Sequence, residues 1–114
     1  MTTPDAPALL LVMIDIDPAY EDEFNRWYTE EHFPERLGLP GFLSARRFVS
    51  HEGGPKYLAL YELENADALN TPEYLALVTP PSEWTQRLET HFTSRLRAIY
   101  TDITPPIPTE SQRP

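Results

Sequence analysis

The pattern of apolar positions divides the chain into four strand-like segments. Residues 8–16 form a continuous apolar run that is too short for a typical helix and is bounded by Asp17 and Pro18. Such a run predicts a central strand that is buried on both faces. Residues 42–49 and 56–63 predict a hairpin, because a glycine-rich turn separates them. Residues 95–103 alternate well enough to predict a last strand.

Residues 20–34 predict one amphipathic helix between the first two strands. At about 100° per residue, one narrow stripe contains Tyr20, Phe24, Trp27 and Glu31. Tyr28 lies on the flank of this stripe, and His32 lies just beyond Tyr28. Because Pro34 lacks an amide hydrogen and disfavours a helical Phe33, we expect the helix to stop or kink about one residue after His32.

Two further helical regions lie between the third and fourth strands. Residues 65–77 predict two short helical pieces, divided at Thr71-Pro72, with Thr71 as the cap of the second piece. Residues 83–91 predict another helix, with Ser82 as its cap. Trp84, Leu88 and Phe92 are expected to face inward from this region.

The order strand, helix, strand, strand, helices, strand predicts an α+β fold of the ferredoxin-like, split βαβ type. Helices on one face of a four-stranded antiparallel sheet leave the other face open. Because the strands are apolar on both faces, we expect a second copy to cover the open face in a two-fold homodimer. The predicted domain spans residues 8–104, with a flexible tail at residues 1–7 and a proline-rich tail at residues 105–114.

Composition narrows the class of protein. A chain of 114 residues has the usual size of one domain. Its formal charge of −9 repels phosphate groups and argues against nucleic acid and anionic membranes as partners. No apolar run approaches the ~18 residues of a membrane span, and residues 1–5 lack a basic signal-peptide start, so we expect a cytoplasmic protein. The absence of cysteine excludes disulfides, thiolate catalysis and cysteine-bound metal.

Four sequence segments carry a resemblance to a known family. They are Phe24-x-x-Trp27-Tyr28-x-x-Glu31-His32-x-Pro34, Leu39-Pro40-Gly41-Phe42, Arg46-Arg47-Phe48 and Lys56-Tyr57-Leu58-Ala59-Leu60-Tyr61-Glu62. From about Leu9 to Asp102, the chain resembles the EthD-like branch of the dimeric α+β barrel superfamily. The resemblance implies a ferredoxin-like subunit, a sheet-to-sheet dimer and a cavity between sheet and helices. Relatives of this type include cofactor-free polyketide cyclases, muconolactone-type isomerases, small monooxygenases and members of unknown role.

His32 is the main candidate for chemistry. The resemblance carries over only this histidine by position, with Trp27 and Tyr28 as lining. Histidine has an unperturbed pKa of about 6.5, so it gives and takes protons near neutrality. We therefore predict that His32 is a general acid or base facing a cavity. The alternative is a half-buried histidine whose charged form favours the helix C-terminus.

Glu31 is the second catalytic candidate. It would orient His32, stabilise its imidazolium form, or act as a base if burial raises its pKa. The alternative is an ion pair of Glu31 with Arg46 or Arg47, or simple exposure. These two arginines point to opposite faces of the sheet, so at most one enters the cavity, where it would bind an enolate or carboxylate oxygen.

The predicted substrate-binding set adds large side chains to these groups. It consists of Trp27, Tyr28, Arg46, Arg47, Tyr61, Trp84 and Tyr100. The aromatic members favour a flat, largely apolar or aromatic ligand, although such residues are also ordinary core residues. His51, in a glycine-rich turn, and His91, late in a helix, are expected to be solvated.

No metal site and no cofactor are expected. The three histidines are 19 and 40 residues apart, which is not a metal-ligand spacing. Haem held by one histidine, or a metal held by scattered residues, remains an alternative. The sequence predicts a cofactor-free isomerase, cyclase or lyase acting through His32. The alternatives are a non-catalytic ligand-binding or accessory protein and a cofactor-free monooxygenase.

Overall fold

Four antiparallel strands form one sheet in the computed structural model, which describes residues 5–106. The strands are β1 (Ala8–Ile16), β2 (Phe42–Val49), β3 (Tyr57–Leu63) and β4 (Phe92–Thr101). Their order in the sheet is β2-β3-β1-β4, so the first strand of the chain is central. The predicted α+β ferredoxin-like fold is confirmed. The predicted tails at residues 1–7 and 105–114 lie largely outside the described residues.

The helical segments pack on one face of this sheet. They are a 3₁₀ turn (Pro18–Tyr20), α1 (Glu21–Trp27), a π turn (Tyr28–His32), α2 (Phe33–Leu37), a second 3₁₀ turn (Ala66–Asn70), α3 (Pro72–Val78) and α4 (Glu83–Glu89). As predicted, the side chain of Thr71 caps α3 and that of Ser82 caps α4. None of the helices in the described part of the chain is long and apolar enough to cross a membrane.

Of the two outcomes expected after His32, a stop or a kink, the stop does not occur, because the helical path continues through Pro34 to Leu37. The amide of Phe33 donates to the carbonyl of Tyr28, five residues back, which makes this turn a π turn. In a regular α-helix the ring of Pro34 would clash with the carbonyl of Glu30. The wider turn makes room for that ring, so the chain keeps its helical course.

Three strand boundaries also differ from the prediction. β4 ends at Thr101 rather than at Ile103. β3 begins at Tyr57 rather than at Lys56. β4 begins at Phe92, three residues before the predicted start, because α4 already ends at Glu89 and Phe92 pairs with Ile16 of β1. Phe92 therefore packs against the core from a strand and not from a helix.

One face of the sheet is covered by the helices, and the other is exposed. The helix-side face is buried and contributes Leu10, Ile14, Ala59, Tyr61 and Leu63 to the core. The opposite face is apolar but uncovered by any described residue of the chain. Large side chains exposed there are Leu9, Phe48, Leu96 and Tyr100.

Candidate functional site

A cavity of about 330 Å³ lies between the helix-side face of the sheet and the helices. Its floor is the apolar helix-side face of β1, and Phe92 of β4 adds to it. Trp27, Tyr28, Tyr61 and Tyr74 form aromatic walls. The polar lining consists of His32, Arg36, Thr85, Glu89, Arg95 and Arg97. The cavity has a volume suited to a small organic ligand.

His32 lies at the wall of this cavity, at the end of the π turn. Its side chain is 9% exposed, and its ring centroid is 4.2 Å from that of Trp27. Nδ1 is buried and has no hydrogen-bond partner among residues 5–106. Burial disfavours the imidazolium cation and, with the positive charges of Arg36 and Arg95, holds the pKa of His32 well below its usual value. The imidazole is therefore neutral near pH 7.

The rings of two tyrosines lie beside the imidazole. The ring centroid of Tyr28 is 5.2 Å from that of His32, and that of Tyr61 is 6.2 Å from it. Burial raises the pKa of Tyr28 to about 12 and also raises that of Tyr61. The hydroxyl of Tyr61 is buried and has no hydrogen-bond partner in the described part of the chain. Because its pKa is raised, this hydroxyl remains protonated near neutral pH.

Three arginines line the cavity, and sequence reasoning missed all of them. Arg95 pairs with Glu89 at 3.3 Å, and Arg97 donates from Nη2 to the hydroxyl of Tyr74 at 3.3 Å. Arg36 follows the π turn and packs over the ring of Tyr74, with Cζ 5.8 Å from the ring centroid. The alternation of Arg95 and Arg97 along the last strand was the available signal, since both pair with helix-side residues of β1.

Glu31 is not among the residues that line the cavity. Its carboxylate accepts hydrogen bonds from Trp27 Nε1 at 3.1 Å, Ser82 Oγ at 2.6 Å and Thr85 Oγ1 at 3.3 Å. None of these donors is Arg46 or Arg47, so the ion pair considered as an alternative is not present, and none is His32, with which direct pairing is not expected from neighbouring positions on a helix. In this position Glu31 ties the π turn to the start of α4 and fixes the indole ring of Trp27.

Arg47, rather than Arg46, lies on the helix side of the sheet. Its guanidinium packs over the rings of Tyr28, Tyr57 and Phe24 at 4.2, 5.0 and 5.4 Å. It does not line the cavity but lies behind Tyr28, so the expected direct contact with a ligand is corrected. Arg46 lies on the opposite face and packs over Phe48 at 4.9 Å.

Two aromatic residues expected at the site lie elsewhere. Tyr100 is 57% exposed on the open face of the sheet, where it pairs with Leu9. The indole of Trp84 donates to Glu23 at 2.9 Å, away from the cavity. Both are therefore corrected as cavity residues. Trp27, Tyr28 and Tyr61 do line the cavity.

The other histidines do not reach the cavity. His51 is exposed in the turn between β2 and β3, as expected. The ring of His91 stacks on Tyr20 at a centroid distance of 3.5 Å, so it is packed rather than fully solvated. Within residues 5–106, no group of three or more histidine, aspartate or glutamate side chains is arranged to hold a metal ion.

Comparison with known proteins gives a family match and a set of similar folds. The family described as "Domain of unknown function (DUF4286)" matches residues 8–103. No curated protein matches the chain. A protein from Streptomyces coelicolor, described as a monooxygenase from the gene ActVA-Orf6 in complex with the ligand nanaomycin D, has a TM-score of 0.67 at 18% identity, over 94% of this chain and 96% of its own.

Two further solved structures are similar in the same way. A protein from Bordetella bronchiseptica, provisionally described as an antibiotic biosynthesis monooxygenase, has a TM-score of 0.66 at 14% identity, over 87% of this chain and 99% of its own. The structure of Rv0793 from Mycobacterium tuberculosis has a TM-score of 0.65 at 12% identity, over 88% of this chain and 98% of its own. At these identities the likeness shows a shared fold.

Proposed function

Because the chain belongs to the DUF4286 family, a domain of unknown function, we propose its function from the cavity itself. The protein is a cofactor-free enzyme in which His32 takes a proton from a small, largely apolar or aromatic substrate. The observation that carries this proposal is a neutral imidazole at the wall of a cavity of about 330 Å³, with Nδ1 unpartnered among residues 5–106.

The proposed step is removal of a proton from a carbon next to a carbonyl group. The C–H bonding pair becomes the enolate, and the proton goes to the imidazole of His32. The hydroxyl of Tyr61 donates to the developing oxyanion, because it is protonated and belongs to a residue of the cavity wall. Return of the proton to another carbon completes an isomerisation, and loss of a leaving group completes an elimination.

A cofactor-free monooxygenase is the second candidate. Solved structures with this fold are described as monooxygenases, which favours it. In this version His32 deprotonates a phenol, and the electron-rich ring reacts with dioxygen. One oxygen atom enters the product as the second carbonyl of a quinone, and the other leaves as water, so the phenol supplies all four electrons.

The ketone 2-tetralone is a suitable probe, because its acidic CH₂ group lies between a carbonyl and a ring. We expect the wild-type protein to speed hydrogen–deuterium exchange at this carbon, measured by NMR in D₂O. His32→Gln should lower the catalysed rate by on the order of 10²-fold, while His51→Gln, in the exposed turn, should not change it.

Equal exchange rates with the wild-type protein and with His32→Gln would contradict the role of the imidazole. Binding of 2-tetralone with no exchange would favour the non-catalytic ligand-binding alternative. Oxygen consumption with 1-naphthol, abolished in His32→Gln, would favour the monooxygenase over the isomerase.

We also propose that two copies pair through the open face of the sheet. Leu96 is 50% exposed there and lies among other apolar side chains, whereas Leu75, on α3, is 48% exposed on the helical side. Leu96→Glu should therefore shift the protein from dimer to monomer in sedimentation equilibrium, and Leu75→Glu should not. A monomeric wild-type protein would contradict the proposal.

A further inference from the structure

We propose that Arg36 and Arg97 form a carboxylate-binding subsite in the cavity. The substrate is then an organic acid with an apolar or aromatic body. This inference rests on the proposed function, because it specifies the substrate class of the same cavity.

Arg36 is the first part of the subsite. Its side chain is only 12% exposed, and the nearest carboxylate oxygen, from Glu35, is 3.9 Å from Nη1. That separation is too long for a hydrogen bond. No side-chain hydrogen bond from its guanidinium is found within residues 5–106. Since Arg36 has unused donors in this half-buried position, an acidic group on the ligand would pair with it more closely than Glu35 does.

Arg97 is the second part, and Tyr74 connects it to Arg36. Nη2 of Arg97 donates to the hydroxyl of Tyr74 at 3.3 Å, while the guanidinium of Arg36 lies over the ring of the same tyrosine. No carboxylate lies within 4.0 Å of Arg97 among the described residues. Both guanidinium groups therefore border one side of the cavity with donors left over.

The charge of the lining supports an anionic ligand. The lining carries three arginines and one carboxylate, that of Glu89, which is already paired with Arg95. Arg97 has no carboxylate within 4.0 Å among the described residues, and Arg36 has one only at 3.9 Å, from Glu35, in a chain whose formal charge is −9. Because the guanidinium is planar and forked, it binds a carboxylate through two parallel hydrogen bonds.

The rest of the lining selects the body of the ligand. Leu10, Val12 and Ile14 of β1 and the ring of Trp27 offer apolar surface. A carboxylate held at Arg36 and Arg97 would therefore leave the apolar part of the molecule against β1, next to the imidazole of His32. A single acidic group on an unsaturated body satisfies both parts of the cavity.

A matched pair of probes tests the subsite. By isothermal titration calorimetry, 2-naphthoate should bind the wild-type protein at least tenfold more tightly than 2-naphthamide, which has the same shape without the charge. Arg36→Gln and Arg97→Gln should each weaken binding of 2-naphthoate by about tenfold or more and leave 2-naphthamide unchanged. Arg46→Gln, on the opposite face of the sheet, is the control and should change neither.

Several outcomes would overturn the subsite. They are equal affinity for the two probes, no saturable binding of 2-naphthoate at millimolar concentration, or an affinity that Arg97→Gln leaves unchanged. Arg97 is more accessible than Arg36, so its variant tests the subsite even if Arg36→Gln fails to fold. Displacement of 2-naphthoate by inorganic phosphate at equal concentration would show an unselective anion site and would also overturn the carboxylate assignment.

The titration separates this inference from the proposed function. His32→Gln should keep its affinity for 2-naphthoate, since the imidazole takes no part in holding the carboxylate. If that binding persists while the exchange of 2-tetralone does not depend on His32, the subsite stands and the catalytic proposal fails. The converse result overturns the subsite alone.

Discussion

Replacing Glu31 by alanine should destabilise the protein far more than its partial exposure suggests. The carboxylate accepts three side-chain hydrogen bonds, from Trp27, Ser82 and Thr85. Two of the donors, Trp27 and Thr85, are buried. Loss of the carboxylate therefore removes a charged acceptor that joins the π turn to α4.

The size of the stability loss depends on which of the three donors keep another hydrogen-bond partner when the carboxylate is removed. Trp27 Nε1 also donates to Thr85 Oγ1 at 3.0 Å, and Ser82 Oγ lies 3.0 Å from the same oxygen. The donors are thus not fully orphaned, and the loss is less than the sum of three separate bonds. A hydrogen bond to a charged group contributes about 1.5–3 kcal/mol, so we expect Glu31→Ala to cost about 3 kcal/mol in total.

Urea unfolding, followed by circular dichroism, measures the change in the free energy of unfolding, and thermal unfolding measures the change in Tm. For a domain of this size, a loss of about 3 kcal/mol lowers Tm by on the order of 10–20 °C. Glu31→Gln keeps an amide oxygen as a neutral acceptor and should lose about half as much stability. Glu30→Ala is the control, because Glu30 is in the same π turn but pairs only with Arg26, with side chains 50% and 64% exposed.

Comparing Glu31→Ala with Glu30→Ala tests whether the hydrogen bonds of Glu31 stabilise the protein. Glu30→Ala should change stability little, since exposed ion pairs contribute weakly. If Glu31→Ala is no more destabilising than Glu30→Ala, the three hydrogen bonds do not hold α4 in place. A variant that keeps full stability but loses activity would instead return Glu31 to the catalytic role expected from the sequence.

Three further predictions concern His32, Tyr61 and Gly41. The pKa of His32 is lower in the folded protein than in the unfolded chain, so as the pH falls below about 6.5 the unfolded chain binds the proton first. The free energy of unfolding of the wild-type protein should therefore fall with decreasing pH, by up to about 1.4 kcal/mol per pH unit more than that of His32→Gln. Urea titrations between about pH 7 and 5.5 measure this difference. Tyr61→Phe should lower the exchange rate of 2-tetralone by on the order of 10²-fold without loss of Tm, and an unchanged rate would exclude the hydroxyl as oxyanion donor. Gly41→Ala should lower the free energy of unfolding by about 1–3 kcal/mol more than Gly53→Ala does. Both glycines have a positive φ, 83° and 74°, but only at Gly41 would an added Cβ lie 2.8 Å from Ala68 Cβ. Equal urea midpoints for the two variants would contradict this.

The strands and caps could be predicted because their signals are local. The apolar run gives both ends of β1, and the glycine-rich turn gives the start of β3 to within one residue, without knowledge of neighbouring elements. Thr71 and Ser82 each accept a backbone hydrogen bond at 3.1 Å from the amide three residues later, which is the ordinary cap geometry. None of these features depends on how the sheet is assembled.

The register of the sheet determines which side chains of β4 line the cavity. Arg97 pairs with Val12 and faces the cavity, whereas Tyr100 pairs with Leu9 and faces away. Since β1 is apolar on both faces, its sequence does not show which parity belongs to the helices. The alternation of β4 alone therefore predicts Tyr100 in the cavity just as readily as Arg97, which is the residue that lies there.

The π turn explains how one helical segment supplies both an aromatic wall and the imidazole. In a regular α-helix, five residues turn through about 500°, so Trp27 and His32 would point about 140° apart. In the structure their ring centroids are 4.2 Å apart and both side chains are buried. The hydrogen bond from Phe33 to Tyr28 widens the turn between them and brings His32 round to the face that carries Trp27. Because Pro34 disfavours the narrower α turn at this position, the same residue that predicted an end to the helix favours the turn that places His32 in the cavity.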